Sequence, residues 1–258
     1  MKKLYLLLFL LTGYTLAFAQ QEAEVFKMTQ IIRKDLAPTE LKAQYYDVDL
    51  SKIWLTTSNE YVFGFIGDDF QRIRVKFITV TKNRDLPGAY EISGKSMVKG
   101  NVDEFKGELQ VSNIRKLNPS PAMAKYYTSK GIKGEYVILG DYVFKENEKE
   151  KHSGVFKGAF QTTFFVDKNN KPQYDDLNKV SDSFTNNQFI GQWLQYNSQD
   201  AKRCNWGDYR IPNARGTFDT GEGEFSPAGK YLKAGWQTYH DAMKNDKKAK
   251  AIETAKWW

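Results

Sequence analysis

Apolar and polar residues alternate along most of the chain from residue 47 onward, a pattern typical of β-strands. The alternation is strict between residues 72 and 77. Its apolar positions are Ile73, Val75 and Phe77, and the basic positions between them are Arg72, Arg74 and Lys76. We predict a strand whose basic side faces water. Gly67-Asp68-Asp69 separates it from a second apolar run over residues 61–66, which indicates a hairpin.

Three segments of the sequence show the periodicity or the capping residues of a helix. Val25, Met28, Ile32 and Leu36 recur at intervals of three and four, which predicts a short N-terminal helix between residues 22 and 36 that ends before Pro38. Ser120-Pro121 and Gly131 are start and stop signals for a helix over residues 121–130.

A further Ser-Pro start at residues 226–227 precedes a C-terminal helix predicted for about residues 227–245. Its apolar stripe consists of Leu232, Trp236, Tyr239 and Met243. Packing against a sheet is the favoured role of this stripe, and a groove for a partner is the alternative.

A weak internal repeat organises the middle of the chain. Residues 88–111 align with residues 140–162, and each copy ends in Phe-Lys-Gly-x-apolar. A third partial copy covers residues 189–193. The spacing is irregular, which favours successive hairpins over a solenoid.

The repeated glycine has a structural interpretation and a functional one. In a strand, Phe156, Gly158 and Phe160 share one face, and the bare glycine leaves a gap for a ring from a neighbouring strand. The alternative is a ligand that approaches the bare backbone at Gly107, Gly158 or Gly191.

Two short motifs resemble those of known families. Phe-x-Gly-x-apolar resembles the opening half of the MORN repeat, and Gly191-Gln192-Trp193 resembles the Gly-x-Trp motif of lipocalins. The glycine-rich second half of a MORN unit is absent, and the lipocalin motif belongs to a first strand rather than to a late one. No function is carried over from either resemblance.

These patterns predict a mainly β fold, an antiparallel sheet or barrel built of successive hairpins, with a short N-terminal helix and a C-terminal helix packed on it.

We expect a signal peptide over residues 1–19 and a single β-rich domain over residues 20–258, with a basic tail from residue 246. The N-terminal segment has Lys2 and Lys3, an apolar run over residues 4–11 and an Ala-Phe-Ala cleavage site. No cysteine follows the apolar run. We therefore expect a bacterial protein that is exported to the periplasm or secreted, soluble, and not lipid-anchored.

Composition narrows the function classes further. The 258-residue chain is 15% aromatic and carries a net charge of +7, but its basic and acidic residues are interspersed, which argues against nucleic acid as a partner. Cys204 is the only cysteine, so no intramolecular disulfide can form. With only His152 and His240 as possible bases, we predict that Cys204 is a buried packing residue rather than a nucleophile.

A cluster of aromatic and polar residues late in the chain is the candidate ligand-binding site. It consists of Trp193, Tyr196, Trp206, Asp208, Tyr209 and Arg210. Aromatic faces beside fixed polar groups suit sugars or amphipathic ligands, and the alternative is that the rings belong to the core.

An acidic cluster follows at Asp219, Glu222 and Glu224. With Asp208, these carboxylates could hydrolyse a glycosidic bond if paired at a suitable separation, or they could form ion pairs with nearby arginines. No metal-ligand spacing is present.

Two further surfaces are candidates. The Arg72, Arg74 and Lys76 stripe could meet an anionic polymer. The tail ends in Trp257-Trp258, whose rings could touch a membrane interface or dock on the domain.

We therefore expect a non-catalytic binding or structural protein of the bacterial envelope whose ligand is a glycan or an amphipathic small molecule. The alternatives are a carboxylate-dependent, glycosidase-like hydrolase and a protein-interaction or inhibitor module without a pocket. We expect no catalytic residue, no metal and no cofactor. The partner is an unidentified envelope ligand or protein, with no nucleic acid and no transmembrane segment, and the sequence leaves the oligomeric state open.

Overall fold

The computed structural model describes residues 21–198 and 201–258, and its main feature is a closed antiparallel β-barrel. The predicted signal peptide, residues 1–19, lies outside the described residues. The strands are β1 (Val62–Ile66), β2 (Gln71–Lys82), β3 (Ala89–Val98), β4 (Asn101–Lys116), β5 (Gly134–Glu146), β6 (Gly154–Val166), β7 (Pro172–Tyr174), β8 (Asn186–Gln195) and β9 (Ala201–Asp208).

Eight of these strands close into a ring in chain order. Each pairs with its neighbour along the chain, β5 pairs with β6, β6 pairs with β8, and β1 pairs with β9 through registers such as Phe63↔Gly207. The short strand β7 pairs with the end of β6, beyond β8. The predicted fold class is confirmed, including its hairpins.

The barrel interior is filled by the inward positions of the alternating pattern. Ile73, Val75 and Phe77 are all buried there, as the period of two predicts. Aromatic rings dominate the middle of the barrel, where the rings of Trp206 and Phe189 stack with their centroids 4.8 Å apart.

One end of the barrel is filled and the other carries four turns. The filled end holds the segment of residues 42–61, with 3-10 helices at Lys42–Tyr45, Ser51–Trp54 and Asn59–Tyr61. Trp54 is buried there and donates a hydrogen bond from Nε1 to Thr162 Oγ1 at 2.9 Å. At the opposite end lie the turns that join β1 to β2, β3 to β4, β5 to β6 and β8 to β9.

The first helix, α1, covers residues 21–31 and packs on the outside of β6 and β8. Its existence is confirmed, but it ends at residue 31 rather than 36, and of the four residues that predicted it only Leu36, beyond the helix, is buried. Val25, Met28 and Ile32 are 54%, 66% and 77% exposed, whereas Ala23 and Phe26 are buried. Ion pairs from Glu22 to Arg203 and from Lys27 to Asp141 orient the helix instead.

The second helix, α2 (Pro121–Lys130), confirms its predicted bounds. Ser120 Oγ accepts a hydrogen bond from the backbone N–H of Met123, and Gly131 adopts the left-handed conformation with φ of 70°.

The C-terminal segment is divided, where the sequence predicted one helix. A 3-10 helix (Gly229–Ala234) ends at Gly235, which has φ of 92°, and α3 (Gln237–Met243) and α4 (Lys247–Thr254) follow. Trp236 is fully buried against the outer side of β1 and donates from Nε1 to the carbonyl of Phe70 at 2.8 Å. The stripe therefore packs on the barrel, although Met243 is exposed. No helix in the described part of the chain is long and apolar enough to cross a bilayer.

The basic side of β2 is covered, and its prediction as a water-facing surface is wrong. Arg72 and Arg74 are each 8% exposed. Arg72 forms two hydrogen bonds to the carboxylate of Glu253, and the rings of Trp257 and Trp258 lie against Arg74 and Lys76. The tail therefore docks its rings on the domain and closes the candidate anionic-polymer surface.

The repeated glycines allow backbones to approach closely. A Cβ atom on Gly107 would lie 1.9 Å from the carbonyl oxygen of Val143, and one on Gly158 would lie 2.0 Å from that of Ile190. Gly158 is directly opposite Gly191 in the β6–β8 pair. The predicted ring in the gap is wrong at these positions, since the neighbouring backbone takes the space. Rings fill the corresponding space at Gly94 and Gly140.

Replacing Gly158 with alanine tests this close approach. The added methyl group must push β6 away from β8, so we expect Gly158→Ala to lower the free energy of unfolding by about 1–3 kcal/mol. Gly229→Ala is the matched control, because a Cβ there meets nothing within 4 Å. Urea denaturation of both variants makes the comparison, and equal stabilities would contradict it.

The buried ion pair on β2 gives a second stability prediction. Burial alone raises the pKa of the Glu253 carboxyl, but Arg72 outweighs this and lowers it below the ordinary value. Glu253→Ala leaves Arg72 without its partner and should cost about 3 kcal/mol in urea denaturation. Glu104→Ala removes an exposed pair with Lys95 and should cost less than about 0.5 kcal/mol. A similar small loss for both variants would show that the tail does not stabilise the barrel.

Candidate functional site

A cavity of about 1110 Å³ lies at the end of the barrel that carries the four turns. We call it the barrel-mouth cavity. Its rim includes Gly67 and Asp68 in the β1–β2 turn, Lys99 in the β3–β4 turn and His152 in the β5–β6 turn. The cavity is thus built by the ends of the strands and is held in place by the closed barrel.

Part of the wall is apolar, because inward-facing strand residues form it. Ile66, Ile73 and Val98 come from the first three strands, and Phe156 and Trp193 come from β6 and β8. Phe156 and Trp193 are 3% and 6% exposed, so most of each ring is already packed. An entering molecule therefore meets a preformed apolar surface.

Glu146 places a carboxylate in this wall. It is the last residue of β5 and continues the inward alternation of Tyr142 and Phe144, so its side chain is buried, with 6% of the residue exposed. Oε1 accepts a hydrogen bond from Ser96 Oγ at 2.6 Å. Oε2 accepts two, from the backbone N–H of Gly154 and from Trp193 Nε1, both at 2.9 Å.

The electrostatic surroundings of Glu146 are unusual for a buried acid. Burial raises its pKa, the three hydrogen bonds oppose that effect, and the negative charge of Asp103 adds to it. The pKa of Asp103 is itself raised, by burial and then by the charge of Glu150. Among the described residues, no Lys, Arg or His nitrogen lies within 4.0 Å of the Glu146 carboxylate.

The cavity lining is acidic although the protein as a whole is basic. Its acidic residues are Glu22, Asp68, Asp69, Asp103 and Glu146. Its basic residues are Lys99, Lys202 and Arg203. Arg203 is already paired with Glu22 at 2.6 Å, which leaves two lysines beside four carboxylates.

Of the six predicted ligand-binding residues, Trp193 lines the cavity and Tyr196 lies beside it. The hydroxyl group of Tyr196 donates to the backbone carbonyl of Glu146 at 3.1 Å. Trp206 is 3% exposed within the barrel, where it packs against Phe189 and Tyr142. Its burial corresponds to the core alternative for these rings.

Asp208 faces the interior near the filled end of the barrel. Its Oδ2 accepts three hydrogen bonds, from Thr57 Oγ1 at 2.6 Å, Asn187 Nδ2 at 2.8 Å and the hydroxyl group of Tyr174 at 2.9 Å. Burial raises the pKa of Asp208 to about 7. These contacts connect β9 to β7, to β8 and to the segment of residues 42–61, which we call the plug.

Arg210 and the acidic cluster lie outside the barrel. The buried guanidinium group of Arg210 pairs with Asp219 and donates to the carbonyls of residues 221, 222 and 223, so it holds the following loop. Glu222 and Glu224 are exposed. Tyr209 stacks on Tyr61, with their ring centroids 5.1 Å apart.

The four carboxylates of the hydrolase alternative are therefore not assembled in the barrel-mouth cavity, since none of them lines it. Among the described residues, no group of three or more His, Cys, Asp or Glu side chains has the arrangement of a metal site.

Cys204 is fully buried in the barrel interior, which confirms the predicted packing role. Burial raises the pKa of its thiol well above the ordinary value.

The sequence analysis missed Glu146, Ser96 and Asp103. Glu146 is the last residue of β5 and is followed directly by the charged turn that leads to β6. Glu146 continues the alternation in which Tyr142 and Phe144 point inward, and this alternation is the sequence pattern that predicts its burial.

No family model, no curated protein and no solved structure matches this chain, so the candidate site is defined by its geometry alone.

Asp208→Asn tests how the raised pKa of Asp208 affects the stability of the folded protein. With a folded pKa of about 7 and an ordinary value of 3.8, the folded protein holds a proton that the unfolded chain releases between these pH values. The contribution of Asp208 to stability therefore rises as the pH falls from 7 to 4, by at most about 1.4 kcal/mol per pH unit. Asparagine does not titrate.

Urea denaturation of both proteins at several pH values measures this effect. We expect the stability of the wild type relative to Asp208→Asn to increase toward pH 4 and to be constant above pH 7. A difference that does not change with pH would show that Asp208 is ionised throughout.

Proposed function

We propose that this protein is an exported, non-catalytic binding protein that holds an amphipathic small molecule in the barrel-mouth cavity. The observation that carries the proposal is a cavity of about 1110 Å³ whose wall combines aromatic rings with a buried carboxylate. Ligand pockets of small molecules typically enclose about 300–1,000 Å³ and combine apolar lining with a few fixed polar groups.

Preorganisation supports binding in this cavity. Trp193 cannot turn freely, because its Nε1 is hydrogen-bonded to Glu146, which is in turn held by Ser96 and Gly154. These groups lie on strands or at strand ends, so little conformational freedom is lost when a ligand enters.

The chemistry of the wall favours an amphipathic molecule over an extended glycan. Stacking on a sugar needs a fully exposed ring face, which neither Trp206, absent from the cavity lining, nor Trp193, 6% exposed, offers. Trp193, Phe156 and the aliphatic residues instead form one apolar surface within a charged rim. A compact ligand with one apolar part and one polar group can contact both the apolar surface and the charged rim.

Export is supported by the first nineteen residues and by nothing in the barrel. A basic start, an apolar run and an Ala-x-Ala site together indicate a signal peptide. The envelope of a bacterium is the expected place of action.

A fluorescent apolar probe tests the proposed cavity. N-phenyl-1-naphthylamine should bind the wild-type protein and brighten as it leaves water. Val98→Trp places an indole ring in the cavity and should weaken binding by about tenfold or more, equal to ~1.4 kcal/mol. Fluorescence titration gives the dissociation constants.

Val102→Trp is the matched control, because Val102 lies in the same hairpin but is 41% exposed and is not part of the cavity lining. It should bind the probe as the wild type does. The proposal fails if the wild type does not bind, or if Val98→Trp binds as tightly as Val102→Trp while both are folded.

A further inference from the structure

The Glu146 carboxylate has hydrogen-bond donors but no counter-charge. Its Oε2 accepts from two N–H groups, which fills that oxygen. Its Oε1 accepts only from Ser96 Oγ and can take one more donor. Buried carboxylates in proteins are usually paired with a cation, and this one has none within 4.0 Å among the described residues.

The rest of the cavity does not supply the missing charge. Lys202 is exposed and lies over the Trp193 ring, 5.7 Å from its centroid, rather than on the carboxylate. Burial raises the pKa of Glu146, and Asp103, which also lines the cavity, adds negative charge that raises it further. The field at Glu146 therefore attracts a cation and repels an anion.

We infer that the ligand of the barrel-mouth cavity carries an ammonium group that binds the Glu146 carboxylate while its apolar part packs against Trp193 and Phe156. This inference rests on the proposed function and deepens it. An ammonium group has three donors, so one can bond to Oε1 while the others face the polar rim. A carboxylate ligand would place like charges together, and a neutral alcohol could donate a hydrogen bond to the Glu146 carboxylate but would bring no positive charge to balance it.

Three probes with eight carbon atoms each and different head groups separate the contribution of the head group from that of the apolar part. Octylamine, octan-1-ol and octanoate are titrated into the purified protein by isothermal calorimetry at neutral pH. We expect octylamine to bind about 10- to 100-fold more tightly than octan-1-ol, because only the ammonium group brings a positive charge to the Glu146 carboxylate, and octanoate to bind most weakly.

Glu146→Gln removes the charge while keeping the local hydrogen bonds. The amide oxygen can accept from Gly154 and Trp193, and the amide nitrogen can donate to Ser96 Oγ, whose hydroxyl group can also accept. This variant should bind octylamine and octan-1-ol with affinities within about threefold of each other, as expected for a single lost charge pair. Glu108→Gln changes an exposed glutamate on β4 and should behave as the wild type.

The outcomes distinguish this inference from the proposed function. Equal binding of the three probes by the wild type would overturn the ammonium assignment and leave an apolar binding cavity. So would an octylamine preference that persists in folded Glu146→Gln. Absence of binding by all three probes would count against the proposed function itself. If Glu146→Gln does not fold, the wild-type ranking of the three head groups decides the question alone.

Discussion

The structure depends on closure of the sheet through the pairing of β1 with β9. Closure satisfies the backbone groups at both edges and turns one face of every strand into a shared interior. Tight curvature follows, and the bare backbones of Gly158 and Gly191 accommodate it where β6 meets β8. The same closure brings four turns to one end and leaves the cavity between them.

Local patterns in the sequence predict the strands, the hairpins and helix α2, because these depend on alternation, capping and turn residues within short windows. They do not predict what comes from far along the chain. The sequence predicts that the side of β2 with Arg72 and Arg74 faces water. The residues that cover it, Glu253, Trp257 and Trp258, lie about 180 residues away along the chain, so no local pattern reveals them. The alternation of β5 indicates that Glu146 points inward, but its partners Ser96 and Trp193 lie on other strands and become its neighbours only in the closed barrel.

Asp208 and Glu146 are buried carboxylates at opposite ends of the barrel, and they differ in what surrounds them. Asp208 is enclosed, with three donors on one oxygen from three parts of the chain, and it ties the plug to the barrel. Glu146 has a similar number of donors but borders open space. A buried acid without a cation costs stability, so its presence in the wall of a cavity is easier to explain by a ligand than by folding.

The contacts that complete the barrel also determine when the chain can fold. Ring closure joins Val62 to Asp208, and the ion pair between Arg72 and Glu253 spans 181 positions. Contacts between such distant residues form late, because a long loop must be ordered first. The barrel therefore cannot close until nearly the whole chain has emerged from the ribosome, and until then the edge of β1 that pairs with β9 has no partner strand.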